Sequence, residues 1–214
     1  GSNDSDFRVE SNGNANMLFV DGGNDKVSIG GASTDNYEFH VQGTSGNGDN
    51  TRFTYTNADA NGCTLSIQKV TSSPADNDII GILQFDSEND ADQAVTYAQI
   101  RSLMTDVSDG SEDGILSFHT RGAGSFSEKM RIKSTGEVGI GVTPVAHYTG
   151  YRALDIGTAL SLFSNSGSTN VATLTNNGYL NSNASQWTYK VTDEATMYSQ
   201  VHGDHRFSTA ASGS

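Results

Sequence analysis

A single cysteine, Cys63, leaves this chain with no intrachain disulfide framework and no cysteine-based zinc site. It stands among strand formers in Gly62-Cys-Thr-Leu-Ser-Ile-Gln-Lys-Val70 and reads as a small buried hydrophobe rather than a nucleophile. Only two prolines occur, Pro74 and Pro144. Helical periodicity is nearly missing: no window of a dozen residues places apolar side chains at i, i+3, i+4 and i+7 behind a plausible cap, which excludes amphipathic helices. Basic residues are scarce, 12 Lys and Arg against 25 Asp and Glu for a net charge of −13. No basic stripe is available to neutralise phosphates, so neither nucleic acid nor an anionic membrane surface is an expected partner. No apolar run approaches the roughly 18 residues of a membrane span, and no signal peptide is visible, so membrane insertion is not expected. Core formers are also few: Leu, Ile, Val and Phe make up 42 of 214 residues, which with the acidic charge borders on the composition of disorder.

What is present argues for order. The apolar residues fall in short alternating runs separated by Gly, Asn, Asp and Ser clusters, the pattern of strands and tight turns. Period-2 runs predict strands throughout, among them Phe7–Glu10, Lys26–Ile29, Thr51–Thr56, Cys63–Val70, Val95–Met104, Glu128–Lys133, Ala153–Ile156, Ala159–Ser164 and Val171–Thr175. Asp21-Gly-Gly-Asn-Asp25, Ser134-Thr-Gly136, Asn176-Asn-Gly178 and His202-Gly-Asp204 supply the positive φ that the turns require. The fold class is therefore all-β. So little core in so long a chain points to burial shared between copies.

One phrase is written twice. Asn16-Met-Leu-Phe-Val-Asp-Gly-Gly-Asn-Asp-Lys-Val-Ser-Ile-Gly-Gly31 and Glu128-Lys-Met-Arg-Ile-Lys-Ser-Thr-Gly-Glu-Val-Gly-Ile-Gly-Val-Thr-Pro144 both run apolar-x-apolar into a polar turn and return as Val-x-Ile-Gly. A looser third version begins at Val171. Each is a hairpin with too little apolar surface to stand alone. The texture suggests an N-terminal shaft-like module at 1–33, a β-rich central domain at 34–127, a hairpin joint and linker at 128–152, and C-terminal shaft-like modules at 153–214. The opening Gly1-Ser2 reads as a cloning remnant and the final Ser208–Ser214 as a turn-like stretch, so an excerpt of a longer chain is expected.

The stretch Met130–Pro144 resembles a phrase common in bacteriophage tail-fibre and tailspike-like proteins, in which a "VGIGTT-P" hairpin closes one module and a strand such as Ala153-Leu-Asp-Ile156 opens the next. Thr96–Ile132 and Ala195–Gly213 look like other modules of such fibres. The resemblance covers most of 95–214, more loosely 6–33, and nothing in 34–94. It implies an elongated, intertwined, parallel homotrimer with triple β-helix-like hairpin modules and a broader central domain. It further implies a place in the virion tail fibre, other fibre segments as neighbours, and a bacterial cell-surface receptor, a glycan by preference, held by avidity. It does not imply catalysis. A glycan depolymerase and a cellular extracellular adhesin are the alternative readings.

Candidate sites are few. Trp187 and Tyr189 alternate on one expected strand beside Asn181 and Asn183, and Tyr148 and Tyr151 lie in an aromatic linker. Aromatic faces stack on sugars while amides take hydroxyls, so these four are the carbohydrate-binding candidates; packing between modules is the plainer alternative. Asp109, Ser111 and Asp113 occupy positions 1, 3 and 5 of a calcium-loop pattern with Gly114 at 6, but position 12 is Thr120, so structural Ca²⁺ competes with a simple turn. No other cofactor is expected. Gly136-x-x-Gly139-x-Gly141 precedes no helix and is not a dinucleotide loop. His202 and His205 flank a turn and read as surface residues, and Asp86, Glu88, Asp90 and Asp92 as a solvated acidic loop.

Overall fold

A computed structural model describes residues 5–31, 37–43, 51–165, 171–183 and 186–212. Among them there is no helix, and every regular element is a strand, as the alternation dictates. The chain divides into two compact units, Gly1–Leu65 and Ser66–Ser214.

The first unit holds β1 (Phe7–Ser11), β2 (Asn14–Asp21), β3 (Lys26–Ile29) and β4 (Phe39–Val41) in one sheet of order β1-β2-β3-β4. The first three strands are antiparallel, and β4 docks parallel to β3.

The second unit is built on an open ten-stranded sheet. Its first strands are β5 (Ile79–Glu88), β6 (Ala94–Asp106), β7 (Asp113–Gly122), β8 (Ser125–Ile132) and β9 (Val138–Ile140). It continues through β10 (Tyr151–Ile156), β11 (Leu160–Asn165), β12 (Val171–Asn176), β15 (Ala195–Val201) and β16 (Asp204–Ala210). A separate hairpin of β13 (Gly178–Leu180) and β14 (Trp187–Tyr189) interrupts the sequence order between β12 and β15. Neighbours are antiparallel except β9 and β10, which run parallel over Val138–Ile140 and Leu154–Ile156. The sheet passes without a break from β8 to β9 to β10, so its ladder is continuous across residues 128–156.

The written repeat is thus a structural repeat. In both copies a hairpin ends in Ile-Gly, and the next strand then docks parallel to the returning arm. Leu18 and Val20 face Ile29 and Val27, as Met130 and Ile132 face Ile140 and Val138. The docking is closed by Gln42 N donating to Ile29 O at 2.8 Å, and by Gly157 N donating to Ile140 O at 2.9 Å. Gly30 and Gly141 both take positive φ, 88° and 67°, at the exit from the hairpin.

The expected strands Thr51–Thr56 and Cys63–Val70 join no ladder among the described residues, and both are exposed, so Cys63 is not the buried side chain its neighbours suggest. Local side-chain contacts take the intervening turn instead, with Tyr55 Oη donating to Asp59 at 2.9 Å and Asn61 N donating to the same carboxylate at 2.9 Å. Alternation specifies a face for a strand, not a partner, and these two segments have the face only.

Burial is inverted relative to an ordinary sheet. Phe19, Ala153 and Phe163 are the buried apolar residues among the described positions, whereas Ser28, Ser117, Asp155, Ser161, Thr173, Thr175 and Ser199 are buried polar ones. Side chains alternate across the pleat, so this is a statement about faces. One row of the large sheet reads Leu116, Ile132, Val138, Leu154, Leu162, Leu174, Tyr198 and Phe207 across eight strands. The next row on that face contains Leu83, Ile100, Phe118, Met130, Ile140, Ile156 and Leu160. Leu162 is 49 % exposed and Leu174 42 % exposed, while Ser161 and Thr175, one position away on the other face, are at 0 % and 1 %.

Candidate functional site

The second unit presents an apolar face, and the first unit repeats it. There the rows Phe7, Val20, Val27, Phe39 and Val9, Leu18, Ile29, Val41 are apolar across all four strands of one face. Phe7 and Phe39 are 57 % and 63 % exposed. Monomeric proteins rarely show contiguous apolar patches of more than a few hundred Å², and larger ones mark interaction surfaces. Covering a half-exposed Leu, Ile or Phe contributes roughly 1 kcal/mol, so a dozen such side chains can hold an assembly together.

The opposite face of β9–β12 is closed by the segment following β9 and by the β13–β14 hairpin. Tyr148 N donates to Leu180 O at 2.9 Å, tying segment to hairpin. Beneath them lies Asp155, fully buried, whose carboxylate accepts from Val145 N at 2.9 Å, Ser161 Oγ at 2.5 Å, Lys190 Nζ at 2.9 Å and His147 Nε2 at 3.4 Å. Burial pushes the Asp155 pKa up, but hydrogen bonds from His147, Ser161, Lys190 and the Val145 amide outweigh it and hold the carboxyl well below its usual range. Ser161 donates to the carboxylate rather than to the imidazole, so Asp, His and Ser here do not form a nucleophilic relay. Nothing in the sequence singled out this cluster. Its signal would have been the polar residues Asp155, Ser161 and Thr175 standing opposite one another on one register.

Three of the four aromatic candidates come together. Tyr151 and Trp187 each pack on Phe163, at ring-centroid distances of 5.9 and 5.8 Å, and Tyr148 lies 6.3 Å from Tyr151. His147 adds a fifth ring at 5.1 Å from Phe163. Phe163, the hub, was not a sequence candidate. Tyr189 points elsewhere, donating through its hydroxyl to Ala211 O at 2.7 Å. Trp187 and Tyr189 also line an open groove of about 430 Å³ with Gly178, Ala195, Met197 and Ala210. Trp187 is 51 % exposed and Tyr148 37 %, so the aromatic ledge presents ring surface to solvent. Asn181 is turned to Thr188 Oγ1 at 3.2 Å and accepts from Asn183 N at 2.8 Å.

Asp109, Ser111 and Asp113 lie at the β6–β7 turn, where Ser111 N donates to Ser108 O at 2.9 Å and Gly110 takes a φ of 79°. Among the described residues no group of three His, Cys, Asp or Glu is placed to hold a metal ion. His202, at φ 52°, forms the β15–β16 turn, and His205 Nδ1 is bonded to Tyr198 Oη at 2.6 Å. Gly139 has a packing reason: a Cβ there would stand 2.2 Å from Val142 O and 2.7 Å from Pro144 Cδ, so only glycine lets the chain fold back over β9. No described helix is long and apolar enough to cross a membrane.

No protein-family profile matches the chain, and no curated protein matches it.

Proposed function

We propose that the chain is a segment of a bacteriophage tail fibre, a parallel homotrimer that serves in attachment to a glycan or protein on the bacterial surface. The observation that carries this reading is the inverted burial of both sheets. Leucine, isoleucine and phenylalanine stand open on one face while serine, threonine and aspartate are buried on the other. Three copies running in the same direction around an axis would turn their apolar faces inward and meet as the walls of a prism. Each wall already has its backbone ladder, with the β5 and β16 edges left unpaired among the described residues of the ten-stranded sheet. Nine strand spacings of about 4.8 Å give that wall a length of roughly 43 Å along the axis. A net charge of −13 would keep such a fibre soluble.

The repeated hairpin with its parallel docking strand is the joint of this shaft, and it accounts for the likeness of Met130–Pro144 to fibre modules. Threefold repetition multiplies weak contacts of each copy with a repetitive surface polymer. The Trp187, Tyr148 and Tyr151 ledge is the offered contact for a sugar ring.

Light scattering at high and low dilution tests the assembly: a mass near three chains is expected, and a stable folded monomer would end the reading. Adsorption of fibre bearing Trp187→Ala to host cells tests the ledge, with reduced adsorption expected at unchanged mass.

A further inference from the structure

The polar face of β6, β7 and β8 gathers positive charge in a chain that has little. Arg101, Arg121 and Arg131, three of the 12 basic residues, all project from this face with His119, Phe126 and Glu128. The guanidinium carbons of Arg101 and Arg121 lie 5.8 and 5.7 Å from the Phe126 ring centroid, and the His119 ring stacks on Phe126 at 5.8 Å. Among the described residues Glu128 is the carboxylate paired with these guanidinia, and Arg131 takes it in a fork at 2.5 and 2.7 Å. Asp86 is linked to Arg101 through the amides of Gln99 and Gln84. Three guanidinia against one carboxylate leave an excess of two positive charges. Burial, and then Arg101, holds the His119 imidazole below its ordinary range; Glu128 opposes this and Arg131 adds to it.

The donors are arranged rather than loose. Arg121 is fixed by Nε donating to Thr96 O at 2.9 Å and an Nη donating to Gly124 O at 2.6 Å. Arg101 is fixed through Nε on Gln99 Oε1 at 2.5 Å, which leaves both its Nη groups without a partner among the described residues. A planar fork held by its Nε, with its terminal donors unspent, is the geometry that grips a carboxylate or a phosphate. The rest of the chain is acidic and repels such a group, so an anionic polymer is directed to this face.

We propose that the β6–β8 face is a binding site for an anionic sugar, one bearing a carboxylate or a phosphate, gripped by the Nη groups of Arg101 with Arg121 and Arg131 beside it. This deepens the reading of the chain as a fibre segment, since a trimer with its apolar faces inward carries three such sites outward. The site itself lies within one chain.

The test is binding of the intact protein to immobilised polygalacturonate, phosphorylated mannan and neutral dextran, with the solution mass measured on the same samples. One of the two acidic polymers is expected to bind, and which one names the anion. Arg101→Gln is expected to weaken that binding about tenfold or more, the worth of a charge-assisted pair. Arg206→Gln, remote on the same face, is expected to leave it unchanged. Equal binding to dextran, no binding to either acidic polymer, or full retention by a folded Arg101→Gln protein would each overturn the site. A monomer that binds through Arg101 would end the assembly reading alone; a trimer indifferent to both acidic polymers would end this one alone.

Discussion

Asp155 stands where a carboxylate is costly, and its partners decide its state. A depressed folded-state pKa contributes stability that is fully present above the ordinary carboxylate value of about 4 and is lost as pH falls below it. Replacing Asp155 by Asn leaves Lys190, itself buried, without its counter-charge. The variant is expected to lose about 3 kcal/mol in urea unfolding at neutral pH. Its stability should also fall less steeply than the parent's as the pH is lowered from about 4; equal acid slopes would assign the acid limb to other carboxylates. At this scale the sequence was legible in part. Trp187, Tyr148 and Tyr151 could be chosen because exposed aromatics between polar neighbours stand out. Asp155 could not, because alternation with Leu154 and Ile156 assigns it to water in any sheet that buries its leucines. Arg101, Arg121 and Arg131 come together only through the pairing of three strands, which no local pattern shows.

The hairpin and its parallel docking strand are the element on which both units turn. In the second copy the fold-back over β9 rests on a missing side chain. Gly139→Ala would force a Cβ to 2.2 Å from a backbone oxygen, and a loss of about 2 kcal/mol or more is expected. Gly122→Ala, where nothing lies within 4 Å, is expected to stay within about 0.5 kcal/mol. Thermal unfolding of the two variants side by side checks the contrast; equal losses would show that the contact at Gly139 relaxes freely. The strands and their turns were readable from period and breakers, and the repeat from the phrase Val-x-Ile-Gly. Docking of β10 parallel to β9 was not, since a ten-residue crossover leaves no periodic trace. Thr51–Thr56 and Cys63–Val70 mark the limit from the other side: they carry strand alternation and find no ladder.

For the molecule as a whole, the test of shared burial is whether exposed leucines matter. In a self-sufficient chain, Leu162→Asn and Leu174→Asn would each change stability by no more than about 0.5 kcal/mol, since both side chains already meet solvent. In a trimer closed by these faces the double variant is expected to shift the mass from three chains toward one on dilution and to lower the melting temperature. Light scattering and calorimetry of the pair decide between the two.

The open leucine face also has a consequence for how fast the protein can be made. In the proposed trimer a chain must meet two others before its apolar side chains leave water, a step whose rate depends on encounter, and until then it is exposed to sticking to anything else. Refolding half-times are therefore expected to shorten as chain concentration rises, up to the point where aggregation overtakes assembly. Dilution, the usual remedy for aggregation, would here delay the native state.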